Sequence, residues 1–412
     1  MSKPEIRLKG FVGEWKETTI GDVSNSFNYG INAAAMPYDG TNKYLRITDI
    51  DDSSHLFNQN GLTSPNVGNI NLDSYILEEG DITFARTGAS VGKSYIYDKN
   101  DGKVIYAGFL IRARIKNEVN PHFVFINSLT KRYDKYIKLV SQRSGQPGMN
   151  TKELSEFSFF TPADNKEQTG IVEYFKSLDS MIQTTTKKIL SLKQLKSASL
   201  ISMFPQNGET KPRVRFKGFE GEWEEKRLNE CLEISNERNF ENKYGKEDVL
   251  SVSDDYGVLN QIELLGRSYA GKSVSNYGIL KNGEIVYTKS PLKSKPFGIV
   301  KLNTGKTGIV SVLYAIYRAK EGTVADYIHY YFDPDWRLND YLRPLVNKGA
   351  KNTMNISDEM ALTGYVMIPE DIREQQRIAS FFASLDKQIS LQEQRLEKLK
   401  QIKAACLDKM FV

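Results

Sequence analysis

The run Gly88-Ala-Ser-Val-Gly92-Lys93-Ser94 supplies two glycines, two hydroxyls and a cation, the residue types from which phosphate-holding loops are built. Its glycines are separated by three residues where a nucleotide-binding P-loop needs four, so it cannot wrap the same phosphate nest. What remains around it, Arg86, Thr87, Ser90, Lys93 and Ser94, is a set of small donors and cations suited to phosphates and base edges. Further along, Ile285 to Lys320 carries seven cations (Lys289, Lys293, Lys295, Lys301, Lys306, Arg318 and Lys320) and no carboxylate. That stripe is a candidate phosphate-facing surface. A weaker cluster sets Lys131, Arg132, Lys135, Lys138 and Arg143 against a single Asp134. Taken alone, either cluster is equally well read as a solvated face.

Other chemistry is missing. The only histidines are His55, His122 and His329, and Cys231 and Cys406 lie far apart, so no metal-ligand spacing or nucleophile triad is present. There is no Gly-rich cofactor loop opening a helix after a strand, no Asn-Pro-Pro-aromatic signature of amino-methyl transfer, and no nuclease carboxylate cluster with lysine. Catalysis by this chain alone is not expected. Its 412 residues, 40% apolar and 26% charged with a net charge of +5, allow two or three globular domains and exclude disorder and a disulfide-stapled mini-protein. The polar start, Met1-Ser2-Lys3-Pro4-Glu5, and the shortness of the longest apolar run, Ile309 to Tyr317, give no expectation of an export signal or membrane span. With free cysteines, this points to a cytoplasmic protein.

The elements that must position these loops come in two copies. Pro4-Glu-Ile-Arg-Leu-Lys-Gly-Phe-Val-Gly-Glu-Trp15 returns as Pro212-Arg-Val-Arg-Phe-Lys-Gly-Phe-Glu-Gly-Glu-Trp223. Later echoes keep the register: Met149-Asn150 with Met354-Asn355, Pro162 with Pro369, Glu167-Gln168 with Glu374-Gln375, and Ser177-Leu-Asp179 with Ser384-Leu-Asp386. Met203-Phe204 and Met410-Phe411 close the two copies. The order is therefore globule, helix, globule, helix.

In each copy a short apolar run ends in proline and is followed by Asp-x-x-Glu, Asp164 to Glu167 and Asp371 to Glu374, a variant of the capping box that opens a helix. Downstream, Ile171, Phe175, Leu178, Ile182, Ile189 and Leu192 recur in heptad steps that skip Thr185. In the second copy Ile378, Phe382, Leu385, Ile389, Leu396 and Leu399 do the same, skipping Gln392. Such seams predict coiled-coil-like helices over Asn165–Phe204 and Ile372–Phe411, each ~60 Å long at the helical rise. Neither can bury its stripe alone, so the two are expected to pair antiparallel about a pseudo-two-fold axis.

Each globule should be mixed α+β. Strands are expected at Tyr44–Ile50, Asp81–Arg86, Ser94–Tyr97 and Phe109–Ile115, and at Val249–Val252, Glu284–Lys289, Gly298–Leu302 and Ile309–Arg318. Helices are expected over Pro121–Val140 and Asp326–Leu345. The expected organisation is a first globular domain over 1–155, a helical spacer over 156–208, a second globular domain over 209–360 and a second helical spacer over 361–412.

Gly80-Asp-Ile-Thr-Phe-Ala-Arg-Thr-Gly-Ala-Ser-Val-Gly-Lys-Ser94 resembles the target-recognition domain of specificity subunits of type I restriction-modification systems. The blocks from Met149-Asn150 to Leu178-Asp179, and from Met354-Asn355 to Leu385-Asp386, resemble that family's helical spacers, so the resemblance spans essentially the whole chain. The second globule departs at the loop, with Lys289-Ser-Pro-Leu-Lys293 in place of Arg-Thr-Gly-Ala-Ser. The resemblance implies a DNA-reading subunit without its own active site, binding no cofactor itself. Its implied partners are double-stranded DNA, two modification subunits that bind S-adenosylmethionine and methylate adenine, and restriction subunits that use ATP and Mg, with no membrane.

For DNA contacts the sequence nominates Arg86, Thr87, Ser90, Lys93, Arg143, Ser144 and Gln146 in the first globule, and Lys289, Lys293, Lys295, Lys348, Lys351 and Asn352 in the second. Arginine and glutamine can read guanine and adenine bidentately, whereas lysine holds phosphate. Glu167, Gln168, Glu374 and Gln375 are expected either to cap the helix starts or to dock a partner. Two classes compete with this reading. A structural coiled-coil scaffold or stand-alone DNA-binding module would account for the helices, and a self-contained restriction or methyltransferase enzyme would need a catalytic motif that the sequence lacks.

Overall fold

A computed structural model describes residues 3–68, 70–142, 145–291, 295–348 and 354–412, with the backbone alone described for 347, 348, 354 and 355. The chain divides into two compact units. Unit 1 comprises Met1–Lys187 with Gln394–Val412, and unit 2 comprises Lys188–Glu393. The long helices, Asn165–Ser202 and Ile372–Lys409, end two residues short of expectation. Each unit contains the start of one long helix and the end of the other.

The duplication survives as topology. Unit 1 is built on an antiparallel sheet in the spatial order Ser24–Tyr29, Leu110–Ile115, Asp81–Ala85, Ser94–Ile96. Unit 2 repeats it as Leu232–Ile234, Ala315–Ala319, Ile285–Tyr287, Val300–Leu302. A two-stranded ribbon leads into each long helix, Lys16–Thr19 with Ser158–Thr161 and Glu224–Arg227 with Tyr365–Ile368. Asp81–Ala85 is buried at every position, as a central strand covered on both faces must be.

Four expected elements differ. The helical stretches foreseen at 121–140 and 326–345 are each broken into two helices, Pro121–Asn127 with Lys131–Val140 and Ala325–Phe332 with Asp335–Leu342. Thr130 caps the second member of the first pair, and Pro334, with no amide hydrogen, sits at the N-cap of the other. The run 309–318 is two strands, Gly308–Val310 and Ala315–Ala319, which join different sheets across a turn that Ser311 initiates. The strand expected at 44–50 stops at Leu45, where Arg46 turns back to Asp49 through an ion pair of 2.7 Å.

The helix seam packs as its spacing requires. Ile171, Phe175, Leu178, Ile189, Ile378, Phe382, Leu385, Ile389 and Leu399 are buried, while Ile182, Leu192 and Leu396 are half-buried. Thr185, the polar interruption, is buried too, at 4% exposure. Within unit 1, Tyr174 lies 3.4 Å from Cys406 and Asp179 2.6 Å from Lys403, so the two helix segments run antiparallel. Within unit 2, Lys193–Glu393 at 2.7 Å and Lys196–Asp386 at 2.8 Å give the same sense.

The far end of each helix enters an aromatic core. Phe411 packs against Trp15, Phe123 and Phe175 with centroid separations of 6.3, 5.7 and 5.9 Å. Phe204 does the same with Trp223, Tyr327, Tyr331 and Phe382 at 6.2, 5.5, 5.8 and 5.9 Å.

The helix-start acids have a different role from the two expected. Asp164 and Asp371 cap the helices alone, accepting from the amides of Lys166 and Arg373 at 2.8 Å. Glu167 and Glu374, each 1% exposed, receive bidentate hydrogen bonds from Arg7 (2.6 and 2.8 Å) and Arg215 (2.7 and 2.7 Å). Their carboxylates are thus enclosed and engaged, neither closing a capping box nor facing a partner. Each arginine also donates to carbonyls of its own arm, those of Gly13 and Val12 or of Gly221 and Glu220, and so buckles the repeated segment onto the helix start. Gln168 and Gln375 are likewise buried. Gln375 bonds the amide of Val324 and the carbonyls of Gly322 and Pro369, while Gln168 donates to Pro162 and Thr161.

Breaking one buckle leaves a buried charge without its partner, a loss of about 2–4 kcal/mol. Glu374→Ala should therefore destabilise the full chain by that amount in chemical denaturation. Pairing it with Arg215→Met should recover most of the loss.

Candidate nucleic-acid interface

In unit 1 the loop after Asp81–Ala85 and the segment before Asn150 meet at one end of the sheet. Thr87 bridges to Gly148, the Gly88 amide donates to the Pro147 carbonyl at 3.0 Å, and the Met149 amide donates to the Arg86 carbonyl at 2.8 Å. Gln146 is exposed beside this junction, with Arg86, Thr87 and Ser90 half-buried. Arg86 lies over the ring of Tyr29 at 4.4 Å, and its amide donates to the Phe109 carbonyl at 2.9 Å. Four nominated residues, Arg86, Thr87, Ser90 and Gln146, are thereby gathered. Arg143 and Ser144 lie outside the described residues.

The loop is not an anion nest. The amides of Gly88, Val91, Gly92 and Lys93 donate to Pro147, Gly88, Ala85 and Ser90, so they are already engaged. Lys93 is only 12% exposed, and its Nζ meets the carbonyl of Ile50 at 3.0 Å and Asp52 at 2.5 Å. It tethers the loop to the segment following Leu45.

Unit 2 places its lysines in similar tethers. Lys289, at φ +48°, pairs with Asp358 at 2.5 Å. Lys295 pairs with Asp254 at 3.1 Å and with Asp335. Lys348 lies in the short strand Asn347–Lys348, paired with Met354–Asn355, while Lys293, Lys351 and Asn352 fall outside the described residues.

The basic stripe of 285–320 is consequently open only in part, and most of its cations are engaged by other elements. Lys301 pairs with Asp254 and Asp333, Arg318 with Glu284 at 3.0 Å, and Lys320 donates to the Asn229 carbonyl at 2.7 Å. Among its described members Lys306, Arg318 and Lys320 are exposed, the last two while engaged by Glu284 and the Asn229 carbonyl. The run lacks carboxylates only in sequence, because its counter-charges come from other elements. The cluster at 131–143 behaves alike in part: Lys131 pairs with Asp408 at 2.9 Å and Arg132 with Glu17 at 3.2 Å, leaving Lys135 and Lys138 exposed.

Two residues that sequence reasoning passed over join the surface of unit 1. Tyr29 is 40% exposed at the end of a strand, and Phe109 is 62% exposed in the turn before Leu110. Phe109 heads an apolar run and so reads as the first buried strand residue, although its side chain faces solvent. Aromatic faces beside a guanidinium form a surface on which bases can stack.

No group of His, Cys, Asp and Glu side chains fit to hold a metal is present among the described residues. No helix among them is long and apolar enough to cross a membrane.

Comparison with known proteins agrees with the duplicated α+β architecture. The model of the type I restriction modification DNA specificity domain matches twice, over residues 13–194 and 220–401, and the chain belongs to that family. It is a type I restriction-modification specificity subunit with two tandem recognition domains. Among solved structures, the type I restriction-modification S subunit from M. genitalium matches with a TM-score of 0.61 at 12% identity, covering 100% of this chain and 99% of that one. A chain from a structure of complex assembly and conformational transition of the type I R-M system matches at 0.50 and 14%, covering 96% and 97%. The HsdS subunit from Thermoanaerobacter tengcongensis gives 0.46 and 17%, covering 100% and 98%.

Gly92 holds the loop 86–93 against the helix Lys131–Val140. Its φ is +87°, and a Cβ there would lie 2.8 Å from Cγ2 of Ile137. Gly92→Ala should cost about 1–3 kcal/mol through strain and overpacking, measured by denaturation of the full chain.

Proposed function

We propose that this subunit selects a bipartite, gapped DNA target, each recognition domain reading one half. The observation that carries this is one sheet topology used twice with unlike loops, Arg86-Thr-Gly-Ala-Ser against Lys289-Ser-Pro-Leu-Lys. Two unlike readers in one chain specify an asymmetric target. Recognition belongs to segments 1–155 and 209–360, while the helical segments 156–208 and 361–412 set the unread gap and dock the methyltransferase subunits.

In unit 1, Arg86 and Gln146 are assigned to base edges, with Thr87 and Ser90 beside them. Arg143 and Ser144, outside the described residues, are assigned DNA contacts as well. In unit 2 Lys348, Lys351, Asn352 and Lys293 are assigned to the DNA face. Lys93, Lys289 and Lys295 belong to the same faces but act chiefly by holding the loops that carry the contacts.

The chain supplies no active site and binds no cofactor in this reading. Two modification subunits bring S-adenosylmethionine and adenine methylation, and restriction subunits bring ATP and Mg. The assembly works in the cytoplasm.

The test is adenine-methylation mapping in the source organism with and without the gene. Loss of a single two-part gapped motif on deletion is the expected result, and an unchanged methylome, with the modification subunit expressed, would overturn the reading. Arg86→Ala should relax one half-site only, by about 1–3 kcal/mol of discrimination, seen as methylation at sites mismatched in that half.

A further inference from the structure

Unit 2 contains a line of alternating charges that its lysine tethers only begin. Lys196, near the end of the first long helix, lies 2.8 Å from Asp386 on the second long helix and 3.0 Å from Asp333. Lys301, in the strand Val300–Leu302, lies 3.8 Å from Asp333 and 3.3 Å from Asp254. Asp254 joins Lys295, which also pairs with Asp335. Tyr330 donates its hydroxyl to Asp386 at 3.0 Å. The line therefore connects the helix pair, the turn between the two short helices, the sheet, the hairpin 250–260 and the recognition loop.

Most of these groups are withdrawn from water. Lys196, Lys301, Lys295 and Asp333 have side-chain exposures of 19, 12, 13 and 17%. Charges so placed are screened less by salt than surface pairs. Desolvation alone would push Asp333 toward its neutral form, but Lys196, His329 and Lys301 hold its pKa below the ordinary carboxylate value. Desolvation likewise opposes ionised Asp254, whose pKa the hydrogen bond from Lys295 and the charge of Lys301 keep low.

Unit 1 has the two ends of such a line, Lys403–Asp179 at 2.6 Å and Lys93–Asp52 at 2.5 Å. Its middle differs. The residue just before the N-cap of the following helix is Asp333 in unit 2, before Pro334, and Leu129 in unit 1, before Thr130.

We infer that Lys301, bridging Asp254 and Asp333, is a positioning residue for DNA reading by unit 2. It fixes the hairpin 250–260 and the Lys295 end of the recognition loop to the scaffold of the long helices, and so sets the stringency of one half-site. The inference rests on the proposed reading of a two-part target. Discrimination between bases needs donors held in a fixed geometry, whereas phosphate attraction tolerates movement. Loss of the bridge should therefore loosen specificity more than affinity.

The experiment is methylome mapping in the source organism carrying chromosomal Lys301→Met, Lys301→Arg or Asp333→Asn, beside the wild type and the gene deletion. Lys301→Met should leave one half of the motif intact and raise methylation at sites mismatched in the other about tenfold relative to the cognate site. Asp333→Asn, nearly isosteric, should degrade the same half, and Lys301→Arg should restore it. Two outcomes overturn the inference: both halves as stringent as wild type, or methylation lowered equally at all sites with both halves intact, which is the mark of mere destabilisation. A wild-type methylome that the deletion leaves unchanged would instead remove the two-part reading itself, and this inference with it.

Discussion

A phenylalanine at the end of a long helix completes each aromatic core, and most of the fold depends on that insertion. Phe204 and Phe411 each occupy a cage of three or four aromatic rings, and truncating such a residue costs about 3–5 kcal/mol. Because the ring arrives on a helix, it also fixes the axial position of that helix against its unit. The heptad seam then needs only to keep the pair in contact. The buckles, Arg7 to Glu167 and Arg215 to Glu374, fix the opposite ends, where the chain leaves a ribbon and turns into a helix.

With helix starts buckled and helix ends inserted, the loops Arg86-Thr-Gly-Ala-Ser and Lys289-Ser-Pro-Leu-Lys are left as a part in which the two copies differ. They hang from one sheet topology used twice, and in both units a lysine near the loop's end is tied to a carboxylate from the neighbouring segment, Lys93 to Asp52 and Lys295 to Asp254. Lys93, Lys289 and Lys295, nominated for phosphate, thus brace the loops. At that end of the unit 1 sheet the exposed groups are Gln146 and the rings of Tyr29 and Phe109, with Arg86 lying over Tyr29.

Periodicity made the long helices legible, since a 3.5-residue repeat over several heptads has no other physical explanation. The repeated blocks likewise exposed the duplication and the matching helix ends. Polarity hid Thr185, which is buried in the seam although its residue type argues otherwise. The buckles were hidden by distance along the chain, yet both copies keep the arginine of the arm and the glutamate of the helix in register, and that joint repetition was the available clue. The lysine stripe misled because a run without acids says nothing of acids arriving from other elements, here Asp254, Asp333 and Asp358.

The core of unit 1 contains Met410 and Phe411 together with Trp15, residues nearly the whole chain apart. During synthesis that core must wait, with Trp15 and Phe123 uncovered, until the last turn of the second helix has left the ribosome. The core of unit 2 draws only on residues between Leu192 and Leu385, so it can close first. The half made second therefore completes its core from its own span, whereas the half made first is completed only by residues made last.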